Sequence, residues 1–282
     1  MIVITTKNEL VQKISEIKND NKTIGFVPTM GFLHDGHVKL LEEARKANDF
    51  VVLSIFVNPL QFGPNEDFDS YPRNARKDEE IARLAGVDFI FTPSVLEMYP
   101  KKPTYTVTVG SRVDVLCGRS REGHFDGVAT VLTKLFNLIE PNRAYFGMKD
   151  AQQVAVVDGL ITEFNYPIDL VTVPTVREED GLAKSSRNVY LSEIERSQAI
   201  VIYKSLVMAK QKINQGMRDK EEIKSFISSL ISNESDGIID YVEILSYPEL
   251  DEIEIMNGKI ILAIAVKFTK ARLIDNITFE VE

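Results

Sequence analysis

The stretch Val27-Pro28-Thr29-Met30-Gly31-Phe32-Leu33-His34-Asp35-Gly36-His37 decides the architecture. It leaves a β-rich apolar run over residues 23–27 and enters a segment of helical period over residues 37–47. The same alternation continues downstream. Strand candidates at residues 50–57, 87–91, 144–146 and 168–173 interleave with helix candidates at residues 75–84, 127–139 and 152–164. Strands alternating with amphipathic helices build right-handed crossovers, hence a parallel sheet with helices on both faces. The N-terminal part therefore reads as α/β, a doubly wound parallel sheet.

After Pro174 the pattern changes to a polar stretch, long helices and then strands. Ser192 with Glu195 three residues on is a capping box that predicts a helix to about Asn214, and Asp219 with Glu222 predicts another. Strand runs follow at residues 239–245, 259–268 and 273–279, with Asn257-Gly258 as a hairpin-type turn signal. This part reads as a smaller α+β domain. With no extended linker, the two parts are expected to form one compact unit with a cleft between them.

Composition narrows the function classes. The 282 residues are 44% hydrophobic and 27% charged, the balance of a globular chain with a core rather than of a disordered one. A formal net charge of −9 repels polyanions and disfavours sequence-tolerant binding of DNA or RNA, so a bound anion must meet a local basic site. The one cysteine, Cys117, excludes an intramolecular disulfide and every multi-cysteine zinc framework. It suits a reducing cytosol. Residues 1–10 hold no apolar signal core, and no apolar run approaches the ~20 residues needed to span a bilayer. The expected location is cytoplasmic, with neither membrane nor nucleic-acid partners.

Five segments carry chemistry. In a doubly wound sheet, ligands bind outside the carboxyl ends of the strands, where helix N-termini favour anions. His34 and His37 sit there, with Gly31 and Gly36 allowing close backbone approach, which suits a nucleotide phosphate; the plainer reading is a polar turn with two surface histidines. The chain has only three histidines, and the third, His124, lies in Arg121-Glu122-Gly123-His124-Phe125-Asp126-Gly127, again before a helix candidate. A rival use of His34, His37, His124 and Cys117 is as nitrogen and sulfur ligands of a metal. Tyr145-Phe146-Gly147-Met148-Lys149-Asp150-Ala151-Gln152-Gln153 offers a phosphate cation in Lys149 and a ribose acceptor in Asp150, or else a capped helix with a solvated lysine. Lys184-Ser185-Ser186-Arg187 groups two cations and two hydroxyls that suit a loop closing on a triphosphate, or else an exposed basic loop. The segment from Ser54 to Pro64 places Asn58 and Gln61 among apolar residues, an amide pair that grips a small polar substrate or serves as an ordinary buried amide.

Taken in order, PTMGxLHxGH, FVNPxQF, REGHFDGV, YFGxKDxQQ and PTVRExDGLAxSSRNxYL resemble the pantoate–β-alanine ligase family along essentially the whole chain. HxGH and KSSR also resemble the HIGH and KMSKS signatures of the wider nucleotidyltransferase group. The resemblance implies a Rossmann-like domain over residues 1–175, a smaller α+β domain over residues 176–282 that closes over ATP, and a homodimer. It implies ATP-dependent condensation of (R)-pantoate with β-alanine through pantoyl adenylate, releasing AMP and pyrophosphate. By similarity, Met30, Gly31, Phe32, Leu33, His34, Asp35, Gly36 and His37 would line the ATP site, with His34, His37 and Lys149 catalytic and His37 the proton donor. Gly147, Met148, Lys149 and Asp150 would hold the nucleotide, and Val176, Lys184, Ser185, Ser186 and Arg187 would complete its pocket. Gln61, Gln153, Asn58 and Arg121 would bind the small substrates. Magnesium is expected with ATP, near Asp78. Two positions depart from the family: some relatives have an acidic residue where this chain has Cys117, and the position of Lys184 is often apolar. A nucleotidyltransferase acting on another small acceptor and a non-catalytic nucleotide-binding protein remain the rival functions.

Overall fold

A computed structural model describes residues 1–63 and 68–282; Pro64, the end of the amide-pair segment, lies outside the described residues. The chain divides into two units, one of residues 1–113, 118–147 and 156–174, the other of residues 114–117, 148–155 and 175–282.

The first unit is built on a six-stranded sheet. Its strands are β1 (Ile2–Ile4), β2 (Ile24–Thr29), β3 (Phe50–Ile55), β4 (Phe89–Phe91), β5 (Arg143–Gly147) and β6 (Asp169–Val173), in the order β1-β4-β3-β2-β5-β6. Every pairing is parallel. Helices α1 (Lys7–Asn19), α2 (Asp35–Ala47), α3 (Ala75–Leu84), the short α4 (Val95–Met98) and α5 (His124–Ile139) belong wholly to this unit, and α6 (Ala151–Glu163) enters it from Val156. The strand order reverses between β2 and β5, so their carboxyl ends flank the switch point where such sheets bind ligands. Burial on both faces explains why Ile24–Val27 and Val51–Ser54 read as nearly continuous apolar runs.

Two sequence expectations change here. Strand β2 continues beyond Val27 through Pro28 and Thr29, paired with Ser54 and Ile55. Thr29 accepts from the Phe56 N–H at 3.0 Å, so by alternation the donor that Pro28 lacks would face β5, where pairing has already ended at Phe26. The β1–α1 start, absent from the sequence reading, adds an edge strand beside β4, and α1 is opened by Thr6, whose side chain accepts from Glu9 N–H.

In the second unit, α7 (Glu193–Gln198), α8 (Ile200–Asn214) and α9 (Lys220–Glu234) precede an antiparallel sheet of β7 (Ile238–Ser246), β8 (Gly258–Lys267) and β9 (Arg272–Val281). Leu206, Ala209 and Ile213 of α8 and Ile223, Ile227 and Ile231 of α9 pack on Ile260, Leu262, Ile264 and Val266, one face of β8. Ile261 and Ala263, on its other face, meet Leu245, Leu250 and Ala155. The helix expected to run unbroken from Ser192 to Asn214 is two helices. The ladder tightens at buried Ala199, whose carbonyl accepts from Ile202 N–H in a three-residue step. Asn257-Gly258 does not turn a tight hairpin: Gly258, at φ +70°, starts β8 after the stretch 247–257, and the short connection is residues 268–271 between β8 and β9. The positive φ that asparagine-glycine supplies serves the entry into the strand.

Candidate active site

The two histidines of the HxGH segment form the N-terminus of α2 itself. His34 is the N-cap, and its Nδ1 accepts from Gly36 N–H at 3.1 Å. His37, three residues on, returns its Nδ1 to the His34 N–H at 3.3 Å. This is a capping box built from imidazoles, with the ring centroids 4.2 Å apart. A ring whose Nδ1 accepts carries its proton, when neutral, on Nε2. In that form each ring carries its N–H on Nε2, at a helix end whose dipole favours an anion. Gly36 leaves room for the His34 ring, since a Cβ there would lie 2.8 Å from His34 Cε1 and the ring would have to shift.

The turn that delivers these rings is held from below. Gly31 has φ +84° and Phe32 φ +53°. The Gly31 N–H donates to Thr29 Oγ1, while those of Phe32 and Leu33 donate to the two oxygens of Asp78 at 2.9 and 2.7 Å. Of the residues expected to line an ATP site, Gly31, Phe32, Leu33, His34 and Gly36 therefore spend their backbone donors inside the segment or on Asp78, and what they leave for an anion is imidazole. Met30 precedes the turn, and Asp35 is exposed in the first turn of α2.

At the end of β3, Asn58 caps a 3-10 turn, Pro59–Gln61. Asn58 is 1% exposed and fully engaged: its Nδ2 donates to the Gly127 carbonyl and to Gln61 Oε1, both at 3.0 Å, and its Oδ1 accepts from Leu60 N–H and from the Tyr99 hydroxyl. Backbone groups leave no choice about which end of the Asn58 amide is which, because the Leu60 N–H can only donate and the Gly127 C=O can only accept. Asn58 in turn orients Gln61, whose Oε1 it holds, so that the Nε2 end of the Gln61 amide turns away from Asn58. Asn58, expected to bind substrate, thus aims Gln61. Tyr99, absent from the sequence reading, secures the outer end, and burial pushes its phenol well above the usual tyrosine range, so it stays a donor at all ordinary pH.

His124 begins α5, where sequence put it just before a helix. Its Nδ1 lies 2.8 Å from the Gln61 carbonyl and its Nε2 3.0 Å from the Arg121 guanidinium. A carbonyl accepts and a guanidinium donates, so this ring carries its proton on Nδ1, the opposite of the α2 pair. Both of its nitrogens are engaged, and among the described residues no three histidine, cysteine or acidic side chains are grouped to hold a metal. The reading of His34, His37, His124 and Cys117 as metal ligands is set aside on that ground.

The second unit carries the remaining expected residues. Met148, Lys149 and Asp150 form a 3-10 turn, with Lys149 Nζ 3.4 Å from Asp150 Oδ1. Asn276 Nδ2 donates at 3.0 Å to both the Met148 and the Lys149 carbonyl. Its neighbour Asp275 grips Arg177 through two bonds of 2.6 and 2.9 Å, and the Arg177 guanidinium also stacks 3.5 Å over the Tyr203 ring and donates to the Gly181 carbonyl. One strand, β9, therefore braces both the GMKD turn and the 177–183 turn. The root of KSSR is tied down, with Lys184 N–H donating to the Val176 carbonyl and Lys184 Nζ 3.4 Å from Glu178. Ser185 caps the 3-10 turn Ser186–Tyr190 by accepting from Arg187 N–H, and Arg187 is exposed. Of the glutamine pair, Gln152 is spent on the Val115 carbonyl and Gln153 is half-buried on α6. Gly147, in the first unit, ends β5. Cys117 receives a donor from Arg272 at 3.3 Å beside Tyr241, and Arg272 also binds Asp240. Asp275 and Asn276 were missed although their signal is present: two adjacent polar residues within an apolar strand must find partners if buried.

The chain is similar to known proteins over essentially its full length. A family model described as pantoate-beta-alanine ligase matches residues 2–278. The chain is 59% identical over its whole length to the full pantothenate synthetase of Geobacillus sp. (strain WCH70), and 57% identical to that of Bacillus cereus (strain B4264), again with both chains fully covered. Among solved structures it is similar to the pantothenate synthetase of Thermus thermophilus, with 42% identity, TM-score 0.91 and 98% and 99% of the two chains covered. It is also similar to the pantoate-beta-alanine ligase of Francisella tularensis, with 34% identity, TM-score 0.76 and 98% and 97% covered. With its fold, its ordered motifs and these relatives in agreement over essentially its full length, the chain belongs to the pantoate–β-alanine ligase family.

Proposed function

We propose that the residues described above divide the work of a two-step ligation. The chain is an ATP-dependent ligase that condenses pantoate with β-alanine to give pantothenate. A carboxylate is a poor acyl donor. In the first step a pantoate carboxylate oxygen attacks the α-phosphorus of ATP, the bond to the bridging oxygen breaks, and pyrophosphate leaves with its electron pair. In the second the β-alanine amine attacks the acyl carbon of pantoyl adenylate, AMP leaves, and the amine loses a proton. Negative charge builds on phosphate oxygens in the first step, so donors fixed to meet it there lower the barrier.

His34 and His37 are those donors, with His37 on the oxygen where charge builds most. Lys149 adds a point charge, Asp150 takes a ribose hydroxyl, and Gly147, Met148, Val176 and Lys184 through Arg187 complete the nucleotide site. Gln61, Gln153 and Arg121 hold pantoate and β-alanine, with Asn58 aiming Gln61. The relative from Francisella tularensis was solved with β,γ-ATP and β-alanine, which supports one protein receiving both ligands. The imidazole capping box supports this reading, since it sets both histidine rings at the N-terminus of the helix that follows β2, where the helix dipole favours an anion. Magnesium travels with ATP, since the ion prefers phosphate and water oxygens to an all-protein cage. The working form is a homodimer.

The test is isotope exchange between pyrophosphate and ATP with pantoate present and β-alanine absent. Exchange that requires pantoate and is lost in His37→Ala supports the adenylate and its site. ATP binding without exchange would favour a nucleotide-binding protein or transfer to another small acceptor.

A further inference from the structure

Asp78 was expected near a magnesium ion, and its surroundings disagree. It is 2% exposed, and its oxygens accept from the backbone N–H groups of two consecutive residues, Phe32 at 2.9 Å and Leu33 at 2.7 Å. A hydrated magnesium ion needs carboxylate oxygen that faces water, in an octahedral shell at about 2.1 Å. These oxygens face the protein.

The turn that Asp78 holds is one the chain would not keep by itself. Gly31 and Phe32 are successive residues at positive φ, and the left-handed region is strained for a phenylalanine, whose Cβ crowds the backbone there. Such a conformation lasts only where its surroundings over-determine it. The two bonds from Asp78 do so from α3, and Thr29 Oγ1, which accepts from Gly31 N–H, does so from β2. The next residue after Leu33 is His34, whose N–H must reach His37 Nδ1 for the imidazole capping box to close. We infer that Asp78 is a positioning residue of this ligase, which sets the proton position and aim of the His34–His37 pair through the Phe32–Leu33 backbone and does not bind the metal. The inference rests on the proposed role of that histidine pair.

The test is Asp78→Asn in the full-length protein. Asparagine keeps the shape but turns an N–H2 toward one of the two N–H groups. The chain has three histidines, so their ring nitrogens can be followed individually by 15N NMR. In the wild type, His34 and His37 should show the Nε2–H form and His124 the Nδ1–H form. In Asp78→Asn the first two should become mixtures while His124, held by Gln61 and Arg121, stays as an internal control. The kcat of pantoate-dependent exchange should fall roughly 10- to 100-fold, the cost of a small misplacement of a reacting group, with the magnesium concentration for half-maximal rate unchanged. Should that variant not fold, Thr29→Val removes another hold on the same turn and should move the same two rings less far in the same direction. Unchanged His34 and His37 tautomers in the folded variants, or a half-maximal magnesium concentration raised about tenfold as loss of a ligand would cause, overturns the inference. The NMR arm needs no turnover, so failure of the adenylate reading, seen as absent exchange in the wild type, is separable from failure of this one.

Discussion

At the scale of single residues, the site is governed by which end of an amide points where. A chain of polarity runs from the Gly127 carbonyl and Leu60 N–H through Asn58 to Gln61, with the Tyr99 hydroxyl closing it. Asn58→Asp inverts that chain. An aspartate can only accept, so it faces the Gly127 carbonyl unfavourably, and Gln61 rotates to donate to it, presenting Oε1 where it had presented Nε2. A buried hydrogen bond replaced by a mismatch costs about 1–3 kcal/mol, or roughly 5- to 150-fold in binding. The KM for pantoate should rise by that factor, with the KM for ATP little affected, and steady-state kinetics with either substrate varied would show it. Equal KM values in the variant would mean that Gln61 does not take its orientation from Asn58. Tyr99→Phe removes one acceptor's partner and leaves the backbone constraints, so its effect should have the same sign and be smaller.

The elements that carry these residues depend on close approach and on caps. Gly127 sits in the first turns of α5, where helix propensity favours alanine by about 1 kcal/mol. A Cβ there would lie 2.2 Å from the Leu60 carbonyl oxygen and 2.8 Å from the Gln61 nitrogen. The clash is with backbone, which cannot swing away, so the propensity gain is outweighed. Gly127→Ala should lower the thermal midpoint, at a cost of about 1–3 kcal/mol, and reduce pantoate affinity together with it. A variant with raised stability would show that the 3-10 turn at Pro59–Gln61 is loose. Helix α7 illustrates a cap that reaches beyond its own helix. Glu195 accepts from Ser192 N–H in the capping box and also from Thr269 N–H in the β8–β9 connection, and these bonds hold its carboxyl down at about 2, below the ordinary 4.5. A lowered folded pKa means that the unfolded chain binds the proton first as pH falls. The stabilisation is therefore complete above pH 4.5 and is lost as pH drops toward about 2. Glu195→Gln should unfold with a shallower dependence on pH across that window, measured by chemical denaturation at a series of pH values. An unchanged slope would remove Glu195 from the acid response.

For the whole molecule, ligand and partner linkage are the measurable consequences. A ligand bound only by the folded chain raises stability by about 2.7 kcal/mol at a hundred times its Kd, so ATP with magnesium should shift the melting curve upward and pantoate should add to the shift. Sedimentation at micromolar concentration should report a mass of twice the 31.8 kDa chain for a homodimer. A single-chain mass at concentrations that sustain full activity would refute the dimer as the working form. Among the described residues no helix is long and apolar enough to cross a membrane.

Much of this was legible in the residues themselves. The strand–turn–helix rhythm determined a parallel α/β sheet, because apolar periodicity reports burial directly. Ser192 and Glu195 announced their helix start, since a cap is satisfied within a few residues of itself. The start at Thr6 and Glu9, followed by Leu10, Ile14 and Ile17 at helical spacing, carries the same kind of signal, although the sequence reading did not use it. The ordered motifs named the family and gathered nearly all the residues that now carry proposed roles. Other features had no local signature. Asp78 supports a turn more than forty positions earlier, and Asn276 holds the carbonyls of Met148 and Lys149 across more than a hundred. Residues 114–117 and 148–155 cluster with the C-terminal unit for the same kind of reason. Local periodicity and capping are properties of neighbouring residues and can be read in a line. The His34–His37 capping box is local, but the polarity of Asn58, the proton position of His124 and the bonds that Asp78 accepts are set by hydrogen-bond partners distant in sequence, and only the folded chain brings those partners together.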